Sequence, residues 1–424
     1  MPYFTVSSDP QRVQLHYELL VGEHAWDELI ARDDRESSQP IAELELPTVG
    51  EKVPLARRWD LVETGALPAS LDGKKSDTQQ AAKWRDPVLF IPGLASKKTT
   101  EYFEQQVRHL TSLKDRCGSP IACVCVFDPR GVGRSSVPEG RQQYSTDLMC
   151  RDVIALLDHL GWTEQVHIVG QSLGALVALK LAGTAPQRIK SVTVMGAVLA
   201  GTDMLWSGWR NAPRFAAQFF FGGLRSKIRA NLGMQYTQAY LSQPSGGGRT
   251  RLEAMAAATE ATIQRKRGTV PKEQRQRNMA GRRGQMRACI WHRLTRKEVA
   301  AIAGSQHFRV LVLHGWHDRF ISPSQAHKLG VVLRANMVTT EAAHAGIGIE
   351  AAALVNAMLE TQILGGFPSP QLGGCEVPAG TMQAARGLAP ETNTQQQQQQ
   401  QQVYYLHARS DQGKLLKRVQ TQPY

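Results

Sequence analysis

Ser172, Asp318 and His344 have the types and the spacing to carry out nucleophilic chemistry together. Ser172 lies in Gly170-Gln171-Ser172-Leu173-Gly174, directly after the apolar β run Val166, Ile168, Val169 and directly before helix-forming residues. A serine on so sharp a strand-to-helix turn is held in a strained backbone conformation, with its hydroxyl clear of the sheet. The residues two positions either side must be small, because the turn presses strand and helix together, and Gly170 and Gly174 meet that need. A serine hydroxyl is a poor nucleophile at neutral pH. It needs a base within hydrogen-bond reach, and the base needs a carboxylate that fixes its tautomer. With the serine turn at the carboxyl edge of a parallel sheet, these partners belong just after later strands, acid first and histidine second. Asp318 follows the run 308–314 through His314-Gly315-Trp316-His317, and His344 follows the run 336–341. The 26 residues separating them accommodate one helix and one strand. Attack on a carbonyl also needs backbone donors for the oxyanion. Two N–H groups are placed for it: Leu173, at the helix start, and Leu94, which follows Gly93 after the first core strand.

The elements that must position these groups follow in order. Residues 3–8 and 13–20 read as two strands around Asp9-Pro10. The alternation of Val13, Leu15, Tyr17 and Leu19 marks a half-exposed edge hairpin, so that residues 1–22 supply the first strands of the core. Residues 23–85 lose periodicity and gain charge, Ser, Gln and Pro, and read as an irregular, partly disordered insertion. Between 86 and 200 strands and helices alternate. The continuous apolar run 87–93 suits a strand buried on both faces. A helical pattern follows through Tyr102, Phe103, Val107 and Leu110, then a second buried strand, 121–128, that ends in a glycine-rich turn. A helix over 144–160 can be capped by Ser145. The Ser172 turn and a strand at 189–195 come next. Such alternation argues for an α/β fold with a mostly parallel sheet and right-handed crossovers. From 201 to 305 the strand signal vanishes and apolar residues recur at helical spacing, which predicts an all-helical insertion. Residues 306–366 resume the β/α pattern. Residues 367–424, with a glutamine run at 395–402, bury too little apolar surface to order themselves and are expected to lie outside the fold.

Composition excludes several classes. Six cysteines without paired spacing argue against a disulfide framework. Cys123 and Cys125 fall two apart on one strand and so share a face, as buried reduced thiols would. The first residues carry no basic-then-apolar leader, and no run approaches the roughly 18 apolar residues of a spanning helix. The expectation is a soluble protein acting inside the cell, in the cytoplasm. The net charge of +13 is concentrated: residues 201–300 hold nineteen Lys or Arg against five Asp or Glu. These charges are scattered between apolar residues, as on a solvated helical face. They do not interleave with aromatics, so nucleic acid is not the expected partner; an anionic membrane surface is the functional alternative.

The motifs together resemble the α/β-hydrolase superfamily, in its lid-bearing serine esterase and lipase type. They are Ile-Pro-Gly-Leu (91–94), Asp-Pro-Arg-Gly-Val-Gly-Arg-Ser (128–135), Gly-Gln-Ser-Leu-Gly (170–174), His-Gly-Trp-His-Asp (314–318) and His344. The resemblance covers 86–200 and 306–366. It implies an eight-stranded, mostly parallel sheet flanked by helices, with a helical lid after the sixth strand, matching 201–305. It further implies Ser172 as nucleophile, Asp318 as acid and His344 as base. Two departures stand out: Pro92-Gly93 where the family often has His-Gly, and Ala343 where it commonly has Gly. A serine, not an aspartate, at the elbow points to esters or thioesters, with no cofactor and no metal. Trp206, Phe215, Phe219 and Phe220 of the lid could line an acyl pocket, or could simply pack the lid on the core. Acyl transfer, carbon–carbon bond hydrolysis on the same triad, and a non-catalytic receptor or scaffold remain alternatives.

Other polar residues have plainer readings. His314 and His317 lack the ligand set of a metal site. Asp128 with Gly131 and Gly133 lacks the third glycine of a nucleotide turn and reads as a structural turn at the rim. His292 reads as structural, and Asp147 and Asp152 are expected to face solvent.

Overall fold

A computed structural model of the protein describes residues 3–6, 9, 11–37, 86–99, 101–204, 223–365 and 405–408. The strands are β1 (Tyr3–Thr5), β2 (Gln14–Leu20), β3 (Asp86–Ile91), β4 (Ala122–Asp128), β5 (Val166–Gln171), β6 (Ile189–Met195), β7 (Val310–Gly315), β8 (Asn336–Thr340) and β9 (Tyr405–Ala408). They form one sheet in the order β1-β2-β4-β3-β5-β6-β7-β8-β9. Only β1–β2 and β2–β4 are antiparallel; every other pair is parallel. β3, β5, β6 and β7 are neighbours at the centre, so the chain returns to one sheet edge after each of them.

The side-chain alternation of a strand divides the core in two. Leu89, Ile91, Cys123, Cys125, Phe127, Ile168, Val192 and Val312 face one layer. Val88, Phe90, Val124, Val126, Leu311 and Leu313 face the other. The first layer is covered by helices α3 (Thr146–Leu160) and α4 (Leu173–Thr184), the second by α1 (Ala25–Ser37) and α2 (Glu101–Ser112). Helix α4 is buried without interruption from Leu173 to Ala182, as its nearly all-apolar sequence requires. Ser145 caps α3, accepting from Leu148 N–H at 3.1 Å.

Four expectations need correcting. The stretch 23–85 is not irregular throughout: Ala25–Ser37 is α1, and Trp26 and Leu29 bury their side chains beside Phe103, Val107 and Leu110. The rest of that stretch lies outside the described residues. The β1–β2 hairpin does lie at the sheet edge, but β2 is not half-exposed, since it runs between β1 and β4 and buries His16 and Glu18 as well as its apolar residues. The tail assigned outside the fold contributes β9, a ninth strand pairing parallel with β8. Asp152 does not face solvent. Its carboxylate takes two hydrogen bonds from Arg130, at 2.6 and 2.5 Å, and Arg130 also donates to Asp9 at 2.8 Å. All three groups are buried, so the charges compensate one another without water.

Between β6 and β7 the described chain is helical: α5 (Leu224–Gln235), α6 (Gln238–Leu241), α7 (Arg251–Thr269), α8 (Lys272–Ile290) and α9 (Arg296–Ala303). This is the inserted helical layer that the sequence predicts. Helix α8 docks through a stripe of small residues. A Cβ on Gly281 would lie 2.1 Å from the Gly131 carbonyl oxygen, and one on Gly284 2.3 Å from the Tyr144 ring. The 205–222 segment, with Trp206, Phe215, Phe219 and Phe220, lies outside the described residues. The last described helices are α10 (Pro323–Leu333), α11 (Ile347–Glu350) and α12 (Ala352–Ile363).

Candidate active site

β5 delivers Ser172 to the carboxyl edge of the sheet, and α4 starts at the next residue. Ser172 has φ 52° and ψ −119°, a conformation that non-glycine residues rarely adopt, stabilised by Ser172 N–H donating to Met195 O at 2.8 Å. The flanking glycines are required by contact: a Cβ on Gly170 would lie 2.5 Å from Gly174 O, and one on Gly174 1.9 Å from Ile91 O. Since those atoms are backbone, nothing can move aside.

The two partners arrive from the loops after β7 and β8. His344 Nε2 is 3.0 Å from Ser172 Oγ, and His344 Nδ1 is 2.7 Å from Asp318 Oδ2. The carboxylate can only accept, so Nδ1 carries the proton and Nε2 is free to accept the serine proton. Asp318 Oδ1 is held by the Phe320 and Ile321 N–H groups at 2.8 and 2.9 Å, which fix the carboxylate plane. Burial pushes the Asp318 carboxyl up, but the His344 and His314 rings and the Ile321 N–H outweigh it, and the group stays ionised below the usual carboxylate range. The Phe320 ring lies 5.0 Å from the His344 ring and covers it. All three sequence-predicted triad residues thus meet in one hydrogen-bonded line.

The oxyanion candidates sit alongside. Leu173 is the first residue of α4, where an N–H has no partner within the helix. Gly93, which precedes Leu94, packs against the elbow: a Cβ there would lie 3.4 Å from Ser172 Cβ and 3.3 Å from Gln171 O. Pro92-Gly93 therefore gives the close approach that the loop needs.

Residues 86–335, more than half of the chain, match the family model of the alpha/beta hydrolase fold. The chain belongs to the alpha/beta hydrolase fold family. Among solved members of the fold, an enol-lactonase from Burkholderia xenovorans LB400 has 17% identity and a TM-score of 0.50, covering 86% of this chain and 100% of its own. MGS-M2, an alpha/beta hydrolase enzyme from a Medee basin deep-sea metagenome library, has 16% identity and a TM-score of 0.52, covering 88% and 100%. At such identities the likeness speaks for the fold alone. In sequence, a protein of Azorhizobium caulinodans bearing the name carbamate hydrolase RutD is 30% identical over 97 residues, 23% of this chain and 31% of its own. The bifunctional epoxide hydrolase 2 of Sus scrofa is 32% identical over 69 residues, 16% of this chain and 12% of its own. The chain thus spans a third or less of these two relatives.

Within this alpha/beta hydrolase site, three contributors escape the sequence patterns. Gly196, just past β6, has φ +61°, and a Cβ there would lie 2.9 Å from His344 Cε1 and 3.1 Å from His344 Nδ1. A glycine at the carboxyl end of the strand beside β5 was the available signal. His314 is fully buried behind Asp318, 3.9 Å from Oδ2, and its Nε2–H donates to Ile321 O at 3.1 Å. Burial pushes its pKa down, against the pull of the neighbouring Asp318 carboxylate. Gln285 of α8 is the third, with Oε1 2.8 Å from Ala95 N and Nε2 2.9 Å from Arg130 O. The helical layer also meets the histidine loop, because Gln235 O accepts from Ala345 and Gly346 N–H at 3.0 and 3.2 Å.

His292 is a buried structural residue bonded to Thr146 at 3.0 Å, and Asp128 braces its turn by accepting from Lys98 and Arg134 N–H. A cavity of about 390 Å³ opens between residues 137–144 and α8, but none of the triad lines it, so it marks no substrate path to Ser172. Among the described residues no helix is long and apolar enough to cross a membrane, and no three His, Cys, Asp or Glu side chains group as metal ligands.

Proposed function

We propose that the chain is a serine hydrolase that cleaves a carboxylic ester through an acyl-enzyme. The observation that carries this reading is the line from Ser172 Oγ through the His344 ring to the Asp318 carboxylate, with separations of 3.0 and 2.7 Å. Ser172 Oγ attacks the ester carbonyl while His344 Nε2 takes its proton. The negative charge on the carbonyl oxygen is held by the N–H groups of Leu94 and Leu173. Collapse expels the alcohol, which receives the proton back from His344. Water, deprotonated by the same nitrogen, then attacks the acyl-serine and releases the carboxylic acid. Asp318 holds the ring and offsets the imidazolium charge without itself gaining a proton. Membership of a family whose named relatives include hydrolases supports this assignment.

The acyl group is expected to be lipophilic, lodged against Trp206, Phe215, Phe219 and Phe220, and the basic helical layer would favour ester presented at an anionic membrane surface. The protein would act within the cytoplasm. A fluorophosphonate probe tests the central step, because it phosphonylates only an activated serine. Wild type should label and the Ser172→Ala variant should not. Labelling that survives the substitution places the reactive serine elsewhere and removes the assignment, and labelling that never occurs removes it in favour of a non-catalytic receptor. Equal turnover of short soluble and long-chain esters, indifferent to anionic vesicles, would remove the lipophilic part alone. Product analysis with and without an alcohol acceptor separates hydrolysis from acyl transfer.

A further inference from the structure

The oxyanion loop carries a left-handed residue that is not glycine. Gly93 O accepts from Ser96 N–H at 3.2 Å, closing a turn whose third residue, Ala95, has φ +60°. Turns of this kind call for glycine at that position, since a side chain there is strained against the backbone. The Leu94–Ala95 peptide must therefore be held from outside, and its orientation governs where the preceding Leu94 N–H points.

The holder comes from the helical layer. Gln285, on α8, is wholly buried, and both ends of its amide are used: Oε1 accepts from Ala95 N–H at 2.8 Å, and Nε2 donates to Arg130 O at 2.9 Å. The far end of the loop is tied to the same turn, because Lys98 N–H donates to Asp128 Oδ1 at 2.8 Å. The circuit is closed: Gln285 to Ala95, along the loop to Lys98, across to Asp128, along the turn to Arg130, and back to Gln285. Helix α8 can reach this depth only because Gly281 and Gly284 let it lie against Gly131 and Tyr144.

We infer that Gln285 is a positioning residue for the oxyanion loop, so that the inserted helical layer supplies part of the machinery for stabilising the tetrahedral intermediate. It touches no reacting atom and acts through Ala95. The inference rests on the serine-hydrolase reading, and its test separates the two. A long-chain trifluoromethyl ketone adds to an activated serine and places an oxyanion in the hole, whereas the matching methyl ketone measures ground-state binding. Their affinity ratio therefore reports the hole, not the general integrity of the pocket. Wild type should prefer the fluorinated ketone and Ser172→Ala should not; absence of that preference in wild type overturns the hydrolase reading and the inference with it. Given the preference, Gln285→Met should reduce it by about tenfold to a hundredfold, the scale of an active-site group misplaced by about 1 Å. Methyl ketone affinity should stay within about twofold. An unchanged ratio in a folded Gln285→Met variant overturns the inference while leaving the hydrolase intact. Should that variant not fold, Gln285→Glu serves. Its carboxylate can still accept from Ala95 but repels the Arg130 carbonyl, and protonation restores the donor. Relative to wild type at each pH, the ratio should therefore recover as pH falls; a parallel profile would equally refute the role.

Discussion

Replacing Gly196 by alanine tests the geometry of the triad without touching any of its members. Two costs follow from the structure. The first is conformational: at φ +61° an alanine costs about 1–2 kcal/mol relative to glycine. The second is steric: the new Cβ would lie 2.9 Å from His344 Cε1 and 3.1 Å from His344 Nδ1, whereas carbon atoms rest at about 3.5–4.0 Å. The ring must therefore retreat by roughly 0.5–1 Å. Its Nε2 now sits 3.0 Å from Ser172 Oγ and its Nδ1 2.7 Å from Asp318, so a shift of that size breaks at least one of the two hydrogen bonds. A misplacement of about 1 Å costs on the order of a hundredfold in rate. The second-order rate of fluorophosphonate labelling reads this without a known substrate. It should fall about a hundredfold in Gly196→Ala, with loss of stability near 1–2 kcal/mol by urea denaturation. The control is Gly161→Ala, at φ +72° with nothing within 4 Å of the added atom. It carries the same backbone cost and should label at the wild-type rate. If Gly196→Ala, compared at equal folded fraction, labels within threefold of the control, the steric reasoning is wrong.

Three other perturbations have signed outcomes. Arg130→Met leaves the Asp9 and Asp152 carboxylates buried without their cation, and should cost about 3–5 kcal/mol of unfolding free energy in urea; adding Asp152→Asn should recover part of it. Asp318→Asn should cut the labelling rate by about 10⁴. Because the Asp318 carboxyl is held below its usual range, the stability its charge adds is present above about pH 4 and lost as pH falls through the lower folded value. The stability gap between wild type and this variant should therefore narrow on acidification, as urea curves at stepped pH would show. Burial pushes both His16 and His292 down to about 3, so each contributes stability present above about pH 6.5 and lost progressively as pH falls toward 3. The slope is about 1.4 kcal/mol per pH unit for each group, and His292→Gln should make the acid limb of the wild-type curve shallower by that amount.

The triad was legible in the sequence because each member sits at a local signature: a strand end, then a turn too tight for larger neighbours. Strand alternation and helix placement are equally local, which is why β3 to β8 fall where the apolar runs lie. What escaped is long-range. Asp152 occupies a helix position that burial makes dangerous for a charge, and its rescue comes from Arg130, 22 residues away, and through it from Asp9, 121 residues from Arg130. Helix α1 and strand β9 are stable in place only through surfaces built elsewhere, Phe103 and Leu110 in one case and the β8 edge in the other. Gln285 lies 190 residues from Ala95, and nothing in the helical spacing of α8 distinguishes an amide that clamps a loop from one that faces water.

The position of the helical insertion has a consequence for synthesis on the ribosome. Ser172 and its base are separated by 172 residues, with the whole helical layer and β7 between them. At about 5–20 residues per second, the elbow emerges some 10–35 s before the imidazole that would activate it. During that interval β6 is a parallel edge awaiting β7, a row of unpaired backbone groups open to pairing with another strand. On the proposed triad, Ser172 would therefore stay without its base until the helical layer has been made.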